Sequence, residues 1–282
     1  MFMKKTRNAF LIIVVGIMSL CHSFVIVAQV DSTRAFHCVV EQDISLAFND
    51  AKKVYKSIGS ITWNDIAVGS AITGTAIALM SIDDEMRNIA QRNYSALNSP
   101  AMTTVNEYGN VYYPVAAGAI TYTAGLVFDS PELRETSRLA MEALLLSGII
   151  TTTVKTFVGR ARPYTEKGPN SFSGFTFQDG NLSFPSGHAT AAFAISTILS
   201  KHIDRWWADI LLYGLATGTA YARMHNDKHW FSDVFMGASI GYASASLIHS
   251  IQQESGLDDK SGQSKKIGYY ITPSGAGLIV HL

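Results

Sequence analysis

Ser183-Phe184-Pro185-Ser186-Gly187-His188-Ala189-Thr190 sets a proline, a serine, a glycine and a histidine directly before an apolar run, Ala191 to Leu199. Pro185 ends any incoming helix, and Ser186 is a good N-cap for an outgoing one. The first amides of that helix have no intrahelical acceptor, which suits an anion lying over Ser186 and Gly187. His188 stands at the helix mouth, where an imidazole can give or take a proton near neutral pH. The stretch proposes a bound anion with acid–base chemistry beside it. Taken alone it reads equally well as an ordinary capped helix with a surface histidine.

Two further clusters have the same character. Lys155, Arg160, Arg162 and Pro163 close one apolar run, and Arg223, His229 and Asp233 lie between two others. His229 and Asp233 are four apart, so on a helix they would share a face. An aspartate against one imidazole nitrogen fixes the tautomer and leaves the other nitrogen as a nucleophile. Arg160, His225 and Lys228 lie nearby and read as rim residues for a headgroup.

The elements that must position these residues are six apolar stretches, at about 65–82, 111–128, 136–154, 187–200, 207–222 and 233–250. Each approaches the roughly 17–25 residues that span a bilayer, and several fall short. They are rich in Gly, Ala, Ser and Thr, which permits close helix packing. Glu142, inside the third, is expected to bond a neighbouring helix. If consecutive helices alternate in direction, the end of the third, the start of the fourth, the end of the fifth and the start of the sixth share one end of the bundle. The three clusters then converge. They bring Lys155, Arg162 and Arg223, helix-end amides and two histidines to one place, an inventory suited to a phosphoryl group.

Composition sets the bounds. Of 282 residues, 48% are hydrophobic and 16% charged, below the roughly 25% charged usual for soluble domains. Formal net charge is zero, with 22 basic and 22 acidic residues, which argues against nucleic acid as a partner. Two cysteines, Cys21 and Cys38, supply neither a disulfide framework nor a thiolate metal site.

The quoted residues carry a resemblance. Lys155-x6-Arg162-Pro163, then Pro185-Ser186-Gly187-His188, then Arg223-x5-His229-x3-Asp233 resemble the three-part signature of the type-2 phosphatidic acid phosphatase superfamily. That group takes in lipid phosphatases, class A acid phosphatases and vanadium haloperoxidases. The resemblance covers about residues 61–250. It implies an all-α six-helix bundle in which His229 attacks phosphorus, Asp233 orients it, and His188 protonates the leaving alcohol and then activates water. Lys155, Arg162, Arg223, Ser186 and the Gly187 amide would hold the phosphate oxygens, with no metal and no cofactor. Ala222 departs from the pattern, since serine is common before the arginine. That bears on one phosphate contact and on no proton transfer. Vanadate, a phosphate mimic, is expected to inhibit, or to serve as cofactor if the chain is a haloperoxidase.

The ends and loops complete the expected plan. Residues 1–28 read as a signal peptide or anchor, with Lys4, Lys5 and Arg7 before an apolar body and Ala28 at the end. Residues 29–60 read as an amphipathic segment, 61–252 as the helical domain, and 253–282 as a polar tail ending in a β-hairpin around Pro273-Ser274-Gly275. The 164–182 loop, with Phe172, Phe175 and Phe177, is a candidate lid or lipid-contacting flap. Substrate choice is expected to lie there and in 83–110. The expected activity is hydrolysis of a lipid-linked phosphate monoester or pyrophosphate: lipid A phosphate, undecaprenyl pyrophosphate or a phosphatidyl phosphate. The alternatives are a soluble secreted acid phosphatase, a vanadate-dependent haloperoxidase and an inactive membrane scaffold. Six full crossings after a translocated first segment would put the site in the cytoplasm. The expected periplasmic site at the inner membrane therefore requires that the first or second stretch not cross.

Overall fold

The computed structural model describes residues 30–92, 100–263, 267–272 and 275–280. The signal or anchor expected at 1–28 lies outside them. The chain divides into Met1–Leu46 and Ala47–Leu282, and all the candidate chemistry belongs to the second unit. Helix α1 is Val30–Ile58, followed by α2 (Trp63–Leu79), α3 (Asp83–Arg92) and α4 (Pro100–Tyr108). Then come α5 (Tyr112–Val127), α6 (Pro131–Val158), α7 (Gly187–Ile203), α8 (Trp206–His225) and α9 (Phe231–Gln263). Strands β1 (Ile267–Thr272) and β2 (Gly275–Val280) pair antiparallel, with Thr272 opposite Gly275, where the hairpin was expected.

The six apolar stretches are α2, α5, α6, α7, α8 and α9. The segment at 83–110, to which the sequence assigns no element, carries α3 and α4. The tail after residue 252 also differs from expectation, because α9 continues to Gln263. Gln252, Gln253, Glu254 and Leu257 are compatible with a helix, and only Gly256 interrupts them.

Local chemistry explains the boundaries that matter for the site. Helix α6 starts at Ser130, whose side chain accepts from the Leu133 amide, with Pro131 in the first turn. It stops at Gly159, which adopts φ +62° as a left-handed cap. A Cβ there would sit 2.0 Å from the Gly174 carbonyl oxygen, so both the dihedral and the space require glycine. Helix α7 starts at Ser186, which accepts from the Ala189 amide as its sequence indicates.

Helix α7 lies at the centre, packed against α6, α8 and α9. Its inward residues Ala191, Ala194, Ile195 and Ile198 form the main core with Leu139, Leu144, Ala245 and Ile248. Closest approach occurs where α9 crosses α7. A Cβ on Gly237 would lie 2.4 Å from the Ser186 carbonyl oxygen, and one on Gly241 would lie 2.3 Å from that of Thr190. Two glycines four apart on α9 thus let its backbone touch the first turns of α7. That contact sets the start of α9 beside Ser186.

Among the described residues three helical stretches, Trp63–Arg92, Pro131–Val158 and Phe231–Glu254, are long and apolar enough to cross a membrane. Helices α5 and α7, with 16 and 17 residues, fall short of the roughly 20 residues needed. Large apolar side chains face outward on several helices, including Ile66, Ile77, Leu145, Ile149, Ile210 and Leu211. So much contiguous apolar surface marks a membrane protein. The charges on these helices are paired. Asp209 accepts from Ser200. Glu142, expected to bond a neighbouring helix, instead bonds Arg138 on its own helix at 2.8 Å, and it is Arg138 that reaches other helices, through Asp50 at 2.5 Å and Gln252 at 2.8 Å.

Candidate active site

The three clusters come together as the alternation of helices predicts. Lys155, one turn before the end of α6, donates from Nζ to the carbonyls of Leu182 (2.8 Å) and Ser183 (3.4 Å). That joins the first cluster to the second. The Ser186 amide donates to the Asp233 carbonyl at 2.9 Å, joining the second to the third. Arg160 donates from Nη1 to Asp233 Oδ1 at 2.6 Å, joining the first to the third.

Asp233 occupies the third position of α9 and takes part in starting that helix. Its Oδ2 accepts from the Trp230 amide at 2.9 Å and from Ser183 Oγ at 2.5 Å. The first of these is half of a capping box. Beside that oxygen, His229 Nδ1 lies 3.5 Å away and makes no hydrogen bond. His229 precedes α9 rather than lying on it, so the pair meets because the entering chain folds back over the helix start. Both side chains are buried.

His188 is the second residue of α7. The turn after α4 closes on it, since a Cβ on Gly109 would lie 2.5 Å from the His188 carbonyl oxygen. Burial, with Arg223, Arg162 and Lys155 nearby, pushes the His188 imidazole down to about 3. Burial and the same cations hold His229 well below its ordinary value. Both histidines lie outside the three long apolar helices, and both are neutral at pH 7. Arg223, in the last turn of α8, donates from Nη1 to Asn106 Oδ1 at 2.9 Å, while its Nε is buried without a partner. Among the described residues only four side-chain polar atoms are buried and unpaired, and two of them are His229 Nδ1 and Arg223 Nε. Such orphans are uncommon, and their concentration here marks the site as built for something more than packing.

Arg162 lies further out. It donates from Nε to the Asp179 carbonyl (2.9 Å) and from Nη2 to Asp179 Oδ1 (3.0 Å), and Tyr164 donates to Asp179 Oδ2 at 3.1 Å. Ser186 is fully buried as the helix cap, and nothing fills the space over Gly187. Among the described residues no group of three or more His, Cys, Asp or Glu side chains is gathered as metal ligands.

Two residues expected at the rim are not there. Arg160 has no exposed surface and is enclosed by Asp83, Ser232, Asp233 and the Pro169 carbonyl. His225 is buried where α3 crosses above it, with Gln91 donating to its carbonyl at 3.1 Å. Lys228 does lie at the rim, 4.5 Å from the Tyr164 ring centre. The 164–182 loop is tied down by its backbone. Ser173 donates to Gly159 at 2.8 Å, Ala161 to Ser171 at 2.9 Å, and Thr176 to Thr156 at 3.0 Å. Its phenylalanines stay outward, and Phe175 stacks between Phe157 (5.4 Å) and Phe177 (5.1 Å).

The sequence reading missed Asp83, Ser183, Trp230 and Asn106. Ser183 was within the starting stretch but carried no signal beyond an exchangeable hydroxyl. Asp83 lies 150 residues from Asp233, and nothing local marks it.

The chain is similar in sequence and in fold to known proteins. Residues 138–257 match the family model described as PAP2 superfamily. A 63-residue stretch, 21% of this chain, is 38% identical to part of a Porphyromonas gingivalis protein named Lipid A 1-phosphatase. The chain spans 14% of the length of that relative. The crystal structure of a transmembrane PAP2-type phosphatidylglycerolphosphate phosphatase from Bacillus subtilis matches with a TM-score of 0.51 at 18% identity. That match covers 66% of this chain and 96% of the other. The Aquifex aeolicus LpxE structure matches with a TM-score of 0.46 at 23% identity, over 60% of this chain and 95% of the other.

Proposed function

From the match of residues 138–257 to the PAP2 superfamily model, we propose that the chain is a member of that superfamily and hydrolyses a phosphate monoester or pyrophosphate carried by a lipid of the bacterial cell envelope. The observation that carries this reading is the convergence of Lys155, Arg162 and Arg223 on two neutral imidazoles, the half-buried His188 and the buried His229 that faces Asp233.

The chemistry follows from the protonation states. With its proton on Nδ1, toward Asp233, His229 offers the lone pair of Nε2 to phosphorus. The P–N bond forms as the P–O bond to the leaving group breaks. The leaving oxygen takes a proton from His188. His188 reaches its cationic form once the substrate dianion offsets Arg223, Arg162 and Lys155, the cations that otherwise depress it. In the second half, His188 takes a proton from water, the oxygen attacks phosphorus, and inorganic phosphate leaves His229. Lys155, Arg162, Arg223, the Ser186 hydroxyl and the Gly187 amide stabilise charge on the equatorial oxygens. These steps place no demand on a metal.

A lipid substrate is supported by the apolar outer faces of the helices and by the 63-residue likeness to a lipid A phosphatase. Within that class a phosphate of lipid A is the first candidate, ahead of undecaprenyl pyrophosphate and phosphatidyl phosphates. The site faces the periplasm, where such headgroups are displayed.

The test is phosphate release by the purified full chain from a panel of these lipids, with His229→Ala as the blank. Rapid acid quenching is expected to trap acid-labile phosphate on wild type and none on His229→Ala. Turnover by His229→Ala comparable to wild type would overturn the reading. Sidedness is read by Ser173→Cys in a background lacking Cys21 and Cys38. Labelling by an impermeant maleimide in intact spheroplasts is expected, and protection until lysis would place the site in the cytoplasm.

A further inference from the structure

We infer that Asp83 and Arg160 are a buried positioning pair for Asp233, and through it for His229, supplied partly from outside the segment that matches the family. The inference rests on the reading of His229 as the attacking group.

Asp83 opens α3 and lies 55 residues before the matched segment begins. Its Oδ1 accepts from the Ser232 amide at 2.9 Å, and its Oδ2 accepts from Ser232 Oγ at 2.6 Å and from Arg160 Nη2 at 2.6 Å. The Ser232 amide is one of the first amides of α9, which have no partner within their own helix. Asp83 therefore caps α9 from another helix while holding Arg160. Arg160 in turn gives Nη1 to Ser232 Oγ (2.7 Å) and Asp233 Oδ1 (2.6 Å), and Nε to the Pro169 carbonyl (2.8 Å). Each of its three nitrogens is engaged, and none faces a phosphate site. Its guanidinium carbon lies 5.6 Å from the Trp230 ring centre and 5.7 Å from that of Phe172. Arg87, also on α3, approaches Trp230 at 5.7 Å and pairs with Asp227 and Glu166. Helix α3 is thus strapped to the loops on both sides of the site.

The geometry assigns a job to this arrangement. Asp83, Arg160 and Asp233 each have 0% exposed side-chain surface. Charges so buried persist only when paired and hydrogen-bonded. With Oδ1 bound to Arg160 and Oδ2 to Ser183 and Trp230, the carboxylate plane of Asp233 cannot turn. Oδ2 is fixed on the His229 side. Two carboxylates and one guanidinium also leave a net negative charge. The groups acting on His229 are Lys155 from α6, Arg162 from the following loop, Arg223 from α8, His188 from α7 and Asp233 from α9. All of the distinct cations push its protonation down, and the triad is the opposing charge. Asp83 and Arg160 should therefore affect His229 with opposite signs.

The experiment uses the full-length protein in detergent, as Asp83→Asn, Arg160→Gln and the milder Ser232→Ala. Vanadate affinity reports whether the phosphate site is intact. The imidazole of His229 is titrated by NMR on 13C-histidine protein, assigned with His229→Asn. We expect vanadate affinity and KM to hold within about twofold, as for residues that bind substrate in neither state. We expect kcat to fall about 10- to 100-fold for Asp83→Asn and Arg160→Gln, the scale for partners that orient a reactive histidine. The His229 titration should move down in Asp83→Asn and up in Arg160→Gln. Shifts of the same sign, no shift, or loss of vanadate binding in parallel with kcat in all three variants would overturn the inference. The titration needs no turnover. If signed shifts appear while His229→Ala still turns over, the positioning pair stands and the nucleophile assignment falls.

Discussion

Two arginines two residues apart make the same kind of bond in opposite surroundings. Arg160 pairs with Asp83 and Asp233 with no exposed side-chain surface on any partner. Arg162 pairs with Asp179, whose side chain is 79% exposed. An extended stretch would put residues two apart on one face, yet here Arg160 is turned into the bundle and Arg162 outward to Asp179. Coulomb attraction is stronger in the inner pair, where less solvent screens it, and the cost of breaking it is greater. A buried pair that loses one partner strands an uncompensated charge, whereas an exposed pair exchanges its partner for water. The inner pair is suited to fixing geometry. The outer pair is suited to being exchanged, so that Arg162 can leave Asp179 for a phosphate oxygen.

The largest effect should come from breaking the inner pair outright. Arg160→Leu removes the only cation between two buried carboxylates and should lower stability by about 3–5 kcal/mol. Arg162→Leu should change it by about 1 kcal/mol or less. Thermal unfolding of both in the same detergent checks the contrast. Equal losses would erase the distinction between the two arginines.

Next comes the contact that brings His229 and Asp233 to Ser186. Gly241→Val puts two methyls and a Cβ into space where the Cβ alone would sit 2.3 Å from a backbone oxygen of α7. The overpacking should cost about 1–3 kcal/mol. It should also lower activity more than vanadate binding, because the helix start moves. Gly148→Val, where a Cβ meets nothing, is the control.

A proton-linked effect separates the two histidines from the ion pairs. Their protonation is depressed in the folded chain, His188 to about 3. As pH falls from 6.5 toward 3, the unfolded chain binds protons that the native chain refuses, so stability is lost. Each histidine should contribute about 1.4 kcal/mol per pH unit across its window. Unfolding measured from pH 7 to 4 should show this loss, and His188→Asn should flatten it. Bound vanadate should also flatten it, by offsetting the cations that depress both rings.

What was legible in the sequence follows the range of the interaction. The six apolar stretches, the cap at Ser186 and the meeting of three clusters could all be read, because period, capping and alternation are local rules. The placement of Arg160 could not. A polar arginine beside Arg162 reads as rim, and its burial is made tolerable by Asp233 together with Asp83, from a helix that 83–110 did not announce. Helix α3 was missed because Asp83, Asp84, Glu85, Arg87 and Arg92 leave too few apolar residues for a clear period. Its place is set by charge pairs to Asp227 and Glu166 together with one small apolar contact, Ala90 against Ala189, Met224 and Val234.

The smallest expected effect tests the outer pair. In Asp179→Asn the amide keeps the shape, its one oxygen can still accept from Arg162 and its NH2 can donate to the Tyr164 hydroxyl, but the negative charge at the mouth is gone. Stability should stay within about 1 kcal/mol, since Asp179 is exposed and its pair is solvent-screened. An incoming phosphate would no longer compete with a carboxylate for Arg162, nor be repelled by it. KM and the inhibition constant for vanadate should each fall by about two- to fivefold, the size of a single exposed charge interaction. kcat should change less than KM, because Asp179 touches neither histidine. The gain should shrink as salt is raised, and inhibition by vanadate at two ionic strengths measures it. Unchanged affinity at low salt would mean that Arg162 does not leave Asp179 when phosphate binds, and the contrast between the two arginines would lose its functional half.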